Sequence, residues 1–315
     1  VGGDTGVIAK IDSNGSWKWA ISTPPLPMQS VQNLEIDGNG ILWYSFTTIS
    51  GSYLQKYNLS GGNIDSISIG NTKIWDFSID HSGDILLTGL FDSSFSCNNN
   101  GSSQTFSPQS GFETPFILKM DSVGNCLWFS SSKVTSALSV PFSLEVDSNG
   151  NSFITGRFYD EIIFDNTTLD AGGNQNGFLA KISQSGQWEW ANQIYCSCTT
   201  EGHSVTLDYN DSVYLTGLYN SGLTTIGGAS FSAAYGSKDT FLLKLDQNGN
   251  TLWALTGGGS GNDRGLDIAI SNDTVYMTGS MTSDFNFGTL KANMLSSNTN
   301  QDTFLLSFSK DYDID

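Results

Sequence analysis

Two glutamates are the first positions at which this sequence offers residues for chemistry. Glu35 and Glu145 occupy equivalent places in two copies of a repeated strand pair. Two carboxylates beside one channel would suit glycoside cleavage, with one acting as acid and the other as nucleophile or base. The other copies carry Ser78, Thr206 and Ala269 at that place, so acidity is not a property of the repeat. We interpret the two glutamates as polar residues on a strand face and predict that the protein is not an enzyme.

A second group of candidate residues stands at the start of each such strand pair. These residues differ between copies while the strands around them do not: Trp75, Asp76, His203, Arg264 and Asp267. We expect them at one mouth of a central channel, where innermost strands begin. Polar and aromatic side chains in a concavity are what a binding site needs. The sequence therefore predicts a ligand-binding site at these residues.

Aspartate-rich turns raise the question of calcium. DSNG at Asp12 and Asp147 and DGNG at Asp37 begin like calcium-binding loops. An EF-hand loop needs further acids and a closing glutamate about eleven residues after the first aspartate, and none fits here. We interpret these segments as hairpin turns and predict neither a metal nor a cofactor.

Four cysteines are present, Cys97, Cys126, Cys196 and Cys198. They allow three disulfide pairings, which sequence cannot distinguish. Zinc is disfavoured because no C-x2-C pair occurs and the chain has two histidines. We expect structural disulfides, with free thiols as the alternative.

The elements that must position these residues are hairpins that recur along the chain. TFLLKLDQNGNTLWALT, residues 240–256, alternates as a strand, turns at DQNG and returns. Its strand lysine recurs as Lys10, Lys56, Lys119, Lys181 and Lys244, and its closing tryptophan as Trp19, Trp128, Trp190 and Trp253. After a first lysine spacing of 46 residues, the spacings are 63, 62 and 63. A fixed period indicates a repeat protein, and we expect the repeated tryptophans to pack between repeats and not to bind sugar.

A second hairpin interleaves with the first. It appears as LEVDSNGNSFITG from Leu144, and four copies end in Thr-Gly: Thr88-Gly89, Thr155-Gly156, Thr216-Gly217 and Thr278-Gly279. Four strands in each repeat, without helical periodicity, predict an all-β protein, a β-propeller of about five four-stranded antiparallel blades. We expect one domain over 1–315, with an isolated outer hairpin at 1–22 and repeats at 30–69, 74–130, 140–194, 202–256 and 264–315. The N-terminal strands either complete the last blade, or the chain is an arc of a larger ring.

Four insertions interrupt the repeats: Asp92–Thr114, Tyr159–Asn176, Asn220–Asp239 and Thr282–Asp302. Three of them read as strand, turn and strand, so we expect small additional hairpins. The segment with CNNNGSSQ, in Asp92–Thr114, is the most loop-like.

The combined pattern resembles the bacterial and archaeal β-propeller repeat called SBBP. The resemblance is clearest in DTFLLKLDQNGNTLWALTGGGSGNDRGLDIAISNDTVYMTG, residues 239–279, and weaker copies cover nearly the whole chain. It implies a module within a large secreted or surface-attached protein. The family has no established catalytic motif, so the resemblance supplies no catalytic residues.

The net charge and the hydropathy of the chain disfavour some classes of partner. The net charge of −18 opposes binding to nucleic acid or to anionic membranes. No apolar run approaches the roughly 20 residues that span a bilayer. Both chain ends fall within a repeat motif, so we expect the chain to be part of a longer one. The sequence favours a non-catalytic extracellular or cell-surface binding module for protein or glycan ligands; the alternatives are a secreted polysaccharide hydrolase or lyase and a structural spacer.

Overall fold

The computed structural model describes residues 7–22, 28–99, 101–108, 111–136, 138–220, 222–232, 236–288, 290–292 and 301–310. The chain divides into two compact units, Val1–Ser130 and Ser131–Asp315. The regular structure of the described residues is β-strand throughout. None of them forms a helix long and apolar enough to cross a membrane. The predicted fold class, an all-β propeller of antiparallel blades, is confirmed. The single domain and the closure by N-terminal strands stay predictions.

The strands up to the boundary between the units are short and follow the repeated hairpins. They are β1 (Val7–Ile11), β2 (Trp17–Ser22), β3 (Met28–Ile36), β4 (Ile41–Thr48), β5 (Gly51–Asn58), β6 (Asn63–Ser68), β7 (Lys73–Ile79), β8 (Ile85–Phe91), β9 (Phe95–Asn99), β10 (Ser102–Phe106), β11 (Thr114–Met120) and β12 (Cys126–Ser131).

The second unit continues the pattern with two longer strands. Its strands are β13 (Lys133–Val134), β14 (Val140–Val146), β15 (Ser152–Phe164), β16 (Thr167–Ile182), β17 (Trp188–Ile194), β18 (Thr200–Leu207), β19 (Val213–Asn220), β20 (Leu223–Ile226), β21 (Ala229–Ser232), β22 (Lys238–Leu245), β23 (Thr251–Gly258), β24 (Arg264–Ser271), β25 (Thr274–Met281), β26 (Phe285–Phe287), β27 (Leu290–Ala292) and β28 (Asp302–Ser309).

Each blade is an antiparallel sheet of successive strands. In the first unit, β3 to β6 form one blade, and β7, β8, β11 and β12 form the next, while β1 and β2 make a separate hairpin. In the second unit, β14 to β17 form a blade, followed by β18, β19, β22 and β23. The last sheet, of β24, β25 and β28, has three strands within the described residues where we expected four.

The aspartate of each repeated turn is bonded within its own hairpin. Asp37 Oδ1 accepts hydrogen bonds from the amides of Asn39 and Ile41, both at 2.9 Å, and its Oδ2 accepts one from Trp43 Nε1 at 3.0 Å. Oδ1 accepts the same two amide bonds at Asp12, Asp80, Asp121, Asp147, Asp208 and Asp246. The interpretation of these segments as hairpin turns is confirmed.

The repeated Thr-Gly dipeptide faces a β-bulge in the innermost strand. In β18 the pairing with β19 skips His203, because Gly202 pairs with Gly217 and Ser204 with Thr216. The extra residue brings the innermost strand close to the glycine, so a Cβ atom at Gly217 would lie 2.0 Å from the carbonyl oxygen of Glu201. Thr216 Oγ1 donates to the carbonyl of Phe241 on β22 at 2.7 Å. Glycine is required here by close approach of the backbone and not by its φ angle.

The same arrangement recurs in the other blades with a Thr-Gly dipeptide. The skipped residues are Trp75, Phe142 and Leu266. A Cβ atom at the glycines would lie 2.0 to 2.1 Å from a carbonyl oxygen: Gly89, Gly156 and Gly279. In the first blade, Phe46 stands in place of the glycine, and the pairing passes from Val31–Phe46 to Leu34–Tyr44, which leaves Gln32 and Asn33 opposite Ser45. The register therefore shifts by one residue here as well.

The insertions form hairpins in all four repeats. The predicted small hairpins are confirmed as β20 with β21, β26 with β27, and the outer parts of β15 and β16. The prediction for the CNNNGSSQ segment was wrong, because β9 and β10 pair over their full lengths. Phe95 pairs with Phe106 at the open end, and Phe106 stacks on Phe129 with ring centroids 4.1 Å apart. Aromatic packing and a disulfide hold a segment whose polar composition indicated a loop.

The cysteines pair as Cys97 with Cys126 and Cys196 with Cys198. Structural disulfides are thus confirmed, with a pairing that the sequence left open. The first bond joins the β9–β10 hairpin to β12, and the second closes a tight loop after β17.

Candidate functional site

The predicted site residues lie on or next to the bulges of the innermost strands. Trp75 and His203 are themselves skipped residues, and Asp76 and Asp267 are the next residues after a bulge. Arg264 begins β24, two residues before the bulge at Leu266. A bulge changes the direction of a side chain relative to the pleat, which frees these positions from the strand alternation.

In the first unit, Trp75 and Asp76 lie side by side on β7. The Trp75 side chain is half-buried. Asp76 accepts a hydrogen bond from Asn33 Nδ2 of the neighbouring blade, and its Oδ1 accepts another from the amide of Phe77 at 2.9 Å. Asp76 therefore also connects adjacent innermost strands.

The second unit holds the corresponding connection. Ser204 Oγ on β18 donates to Asp267 Oδ1 on β24 at 2.9 Å, and the same oxygen accepts from the Ile268 amide at 2.9 Å. Asp267 is exposed as well as bonded. Arg264 is exposed at the start of the same strand. Of the predicted residues, the structure brings His203, Arg264 and Asp267 to adjacent innermost strands.

A polar arrangement among the described residues of the second unit is the Glu201 cluster, which we define as Phe142, Arg157, Gln175, Glu201 and His203. Glu201 Oε1 accepts from Gln175 Nε2 at 2.7 Å and Arg157 Nη1 at 3.2 Å. Its Oε2 faces His203 Nε2 at 2.9 Å. The Phe142 ring lies edge to face with the imidazole, 5.7 Å between centroids, and the Arg157 guanidinium lies 5.4 Å from that ring.

Electrostatics keep Glu201 ionised despite its burial. Burial alone would raise the pKa of this carboxyl, but the hydrogen bond and charge of His203, the charge of Arg157 and the Gln175 hydrogen bond together lower its pKa to about 2. The side chains of Glu201 and His203 are 12% and 11% exposed, whereas that of Arg157 is 31% exposed. Arg157 is thus the most exposed of these three side chains, and the Glu201 carboxylate lies inside.

Hydrogen bonding restricts the chemistry available to His203. Its Nε2 faces the Glu201 carboxylate, and its Nδ1 lies 2.6 Å from the carbonyl oxygen of Gly265. Both neighbours offer lone pairs, so each ring nitrogen is directed at an acceptor within the protein. Glu201, with its pKa lowered to about 2, is a poor proton donor near neutrality.

The two glutamates considered for catalysis lie on innermost strands, as expected. Glu35 is on β3 in the first unit, and Glu145 is on β14 in the second. Both are half-buried. Glu145 Oε1 accepts from the amide of Val146 at 3.2 Å, a contact within its own strand.

Sequence reasoning missed Arg157 and Gln175 as members of the site. Arg157 follows a Thr-Gly dipeptide directly and is one of two arginines in the chain, the other being Arg264. That rarity was a usable signal. Gln175 offered none, because it lies in an insertion and reaches Glu201 from the part of β16 that pairs with Tyr159.

Among known proteins, one is similar in sequence to part of this chain. No protein-family model matches the chain. The chain is 30% identical over 197 residues to an uncharacterized WD repeat-containing protein of Acanthamoeba polyphaga mimivirus. This match covers 54% of the chain and spans 14% of that relative's length.

Solved structures resemble the chain at low sequence identity. A protein of unknown function from Bacteroides caccae gives a TM-score of 0.49 at 9% identity, covering 84% of this chain and 75% of that one. The Dos1 propeller gives 0.47 at 13% identity, covering 89% and 58%. A catalytically inactive virginiamycin B lyase from Staphylococcus aureus with quinupristin gives 0.39 at 13%, covering 87% and 92%.

Proposed function

We propose that the chain is a non-catalytic binding or display module that recognises a protein or glycan through its bulge residues. The Glu201 cluster is the observation that carries this proposal. It combines an aromatic ring and an imidazole on neighbouring innermost strands with a part-exposed arginine side chain on β15, the second strand of its blade. Such groups, held on rigid strands, supply directed hydrogen bonds and apolar contact together.

Variation between repeats supports recognition at this place. The Thr-Gly positions recur because the bulge requires them, whereas the bulge residues themselves are Trp75, Phe142, His203 and Leu266. A residue that every blade needs for its fold is the same in each repeat. A residue that binds a ligand is needed in one blade alone, so it can differ between repeats. The arginines add a preference for acidic groups, because a guanidinium binds carboxylate or sulfate through paired hydrogen bonds.

The proposed setting is extracellular or at a cell surface, within a longer chain. The resemblance of 239–279 to the SBBP repeat implies that setting, and the two disulfides agree with an oxidising compartment. The acidic net charge of −18 supports a ligand other than nucleic acid.

A glycan array with parallel polysaccharide digestion tests the proposal. We expect binding without turnover, and Arg264→Ala to weaken it by about tenfold or more, since one charge-assisted hydrogen bond contributes roughly 1.5–3 kcal/mol. Lys133→Ala is the matched control, because Lys133 is also an exposed cation in the second unit. His203→Ala serves as a second site variant with circular dichroism as the folding check.

Each other outcome contradicts the proposal. Full affinity in folded Arg264→Ala and His203→Ala variants would move recognition away from the bulges. Polysaccharide cleavage that is lost in Glu35→Gln or Glu145→Gln would identify a hydrolase or lyase instead. Absence of binding to glycans and to surface proteins would leave a structural spacer.

A further inference from the structure

A disulfide lies beside the Glu201 cluster in the connection from β17 to β18, residues 195–199, which we call the disulfide loop. Cys196 and Cys198 are bonded across a single intervening residue, Ser197. Cys196 is fully buried, whereas Cys198 is half-buried. A reagent from solution therefore meets this disulfide at the Cys198 sulfur, three residues before Glu201.

Asn176, a fully buried residue of β16, holds the disulfide loop from one side. Its Nδ2 donates to the carbonyls of Cys196 at 3.0 Å and Cys198 at 3.3 Å, and its Oδ1 accepts from the amide of Cys196 at 3.0 Å. The preceding residue, Gln175, donates to Glu201 Oε1 at 2.7 Å. Adjacent residues of one strand thus contact the disulfide loop and the Glu201 cluster.

Thr200 holds the disulfide loop at its other end. Its Oγ1 accepts from the Gly177 amide at 2.8 Å and donates to the carbonyl of Ile194 at 2.5 Å. Because Thr200 and Glu201 are consecutive, this bridge also fixes the backbone from which the Glu201 side chain reaches Gln175. The cluster and the disulfide loop therefore share two short backbone segments, 175–177 and 200–201.

The surroundings of the two sulfurs fit the bonded form closely and offer a partner to the open form. A Cβ atom added at Gly222 would lie 3.0 Å from Cys196 Sγ and 3.4 Å from Cys198 Sγ, so the chain passes directly over the bond. Two free thiols cannot stay at the bonded distance of about 2.0 Å, so opening the bond must displace the loop away from Gly222. Cys198 Sγ lies 3.6 Å from the carbonyl oxygen of Asn220, which a thiol S–H can use as an acceptor.

We propose that the Cys196–Cys198 disulfide is a site of reversible thiol modification that controls the geometry of the Glu201 cluster. Opening the bond moves Cys198 away from Asn176, and the contact of 3.3 Å from Asn176 Nδ2 is lost. Gln175 then shifts with its neighbour, and Glu201 loses a donor. That this step regulates recognition rests on the proposed function, whereas the change in the cluster does not.

A dithiol is the class of reductant that this site takes. One thiolate of the dithiol attacks Cys198 Sγ and breaks the sulfur–sulfur bond, so Cys196 leaves as a thiolate and is protonated by water. The second thiolate of the reagent attacks the reagent's own sulfur in the mixed disulfide and releases Cys198, which is protonated in turn. Two electrons pass to the protein, and the reagent departs as a cyclic disulfide.

The first test titrates dithiothreitol into the isotopically labelled chain and follows it by NMR. Alkylation of parallel samples with iodoacetamide, read by mass spectrometry, identifies the opened cysteines, and circular dichroism checks the fold. We expect Cys196 and Cys198 to open together and the side-chain amide signals of Gln175 and Asn176 to shift as they do. Unshifted Gln175 signals in a folded chain with both thiols free would overturn the proposal, as would a bond that stays closed until the chain unfolds.

The second test opens the loop without a reductant. The double variant Cys196→Ala/Cys198→Ala leaves Cys97 and Cys126 able to bond, and its Gln175 signals should lie close to those of the reduced chain. Ser197→Ala, at the exposed residue between the cysteines, keeps the bond and is the matched control, with Gln175 signals like those of the unmodified chain. If the double variant had the Gln175 signals of the oxidised chain, or responded to dithiothreitol as strongly as the unmodified chain, the effect would belong to the other disulfide and the proposal would fail.

Binding of an oligogalacturonate, a carboxylate-rich glycan, separates this inference from the proposed function. We expect the oxidised chain to bind it about threefold more tightly than the double variant does, the effect of one neutral hydrogen bond. Equal affinity together with shifted Gln175 signals would contradict recognition by the cluster and support the redox coupling. Unshifted Gln175 signals would refute the coupling whatever the affinity.

Discussion

The roles of the repeated aspartates and tryptophans follow from their hydrogen bonds. The turn aspartates accept amide bonds within their hairpins, as Asp37 does, and the repeated tryptophans donate to the next turn, as Trp190 does. Glu201 differs, because its three donors come from three different strands. A buried carboxylate is stable only with such partners, so the cluster acts as one unit.

The Glu201 cluster predicts a specific acid sensitivity. The folded pKa of about 2 lies below the ordinary 4.5, so ionised Glu201 stabilises the fold above about pH 4.5 and this contribution disappears as pH falls towards 2. Its full size is about 3 kcal/mol. Urea unfolding of the chain and of Glu201→Gln at several pH values should show a difference that shrinks over this interval.

Glu189→Gln is the control, because Glu189 is an exposed carboxylate in the same unit, paired with Lys181 at 3.1 Å. Its difference from the unmodified chain should stay within about 1 kcal/mol. A constant difference between the chain and Glu201→Gln from pH 6 to pH 2 would contradict the lowered pKa.

The repeated tryptophans predict losses of stability and none of ligand binding at the bulges. Trp190 and Trp253 are half-buried, so substitution by alanine should cost somewhat less than the roughly 3–5 kcal/mol of a buried tryptophan, about 2–4 kcal/mol. Trp17, which is 74% exposed, is the control and should change the free energy of unfolding by less than about 0.5 kcal/mol. Melting temperatures equal to that of the Trp17→Ala variant would contradict the packing role.

At the scale of the element, each innermost strand is shaped by its bulge and by the glycine opposite. The bulge places the extra residue outside the strand alternation, and the second strand accommodates it with a glycine. This coupling explains why Thr-Gly recurs while the bulge residue varies. The glycine of the second strand must therefore stay the same, whereas the bulge residue next to it on the innermost strand is free to vary.

Gly217→Ala tests this coupling. The new Cβ would meet the Glu201 carbonyl oxygen at 2.0 Å, a backbone atom that cannot move without disturbing the sheet. We expect a loss of about 3 kcal/mol or more in the free energy of unfolding. Gly38→Ala, where no atom lies within 4 Å of the added carbon, should be nearly neutral. Comparable stability of the two variants would mean that the bulge relaxes.

At the scale of the molecule, equivalent residues of two repeats differ in their burial. Tyr214 and Leu242 on the fourth blade are fully buried and pack in the cluster that contains Met277. The equivalent residues of the last described sheet are Tyr276 and Leu305, which are 39% and 67% exposed within the chain. The same residue types therefore sit in opposite environments.

Paired substitutions measure that difference in solution. Leu242→Asp should reduce the free energy of unfolding by about 4 kcal/mol or more, because it places a charge in an apolar core. Leu305→Asp should change it by less than about 1 kcal/mol. Thermal unfolding at matched pH would compare them. A loss with Leu305→Asp as large as with Leu242→Asp would show that the face is covered in solution.

The sequence by itself determined the blades, the turns and the packing tryptophans. These follow from short sequence patterns that recur in each repeat. Alternating side chains indicate the strands, the turn from Asp to Gly indicates the hairpins, and Trp190 stands at a fixed place in its repeat. Local rules suffice because neighbouring residues along one strand or turn satisfy them.

Tertiary structure alone decided the pairing of the cysteines, the hairpin at β9 and β10, and the Glu201 cluster. Arg157, Gln175 and Glu201 lie on different strands, and only the stacking of one blade on the next brings their side chains together.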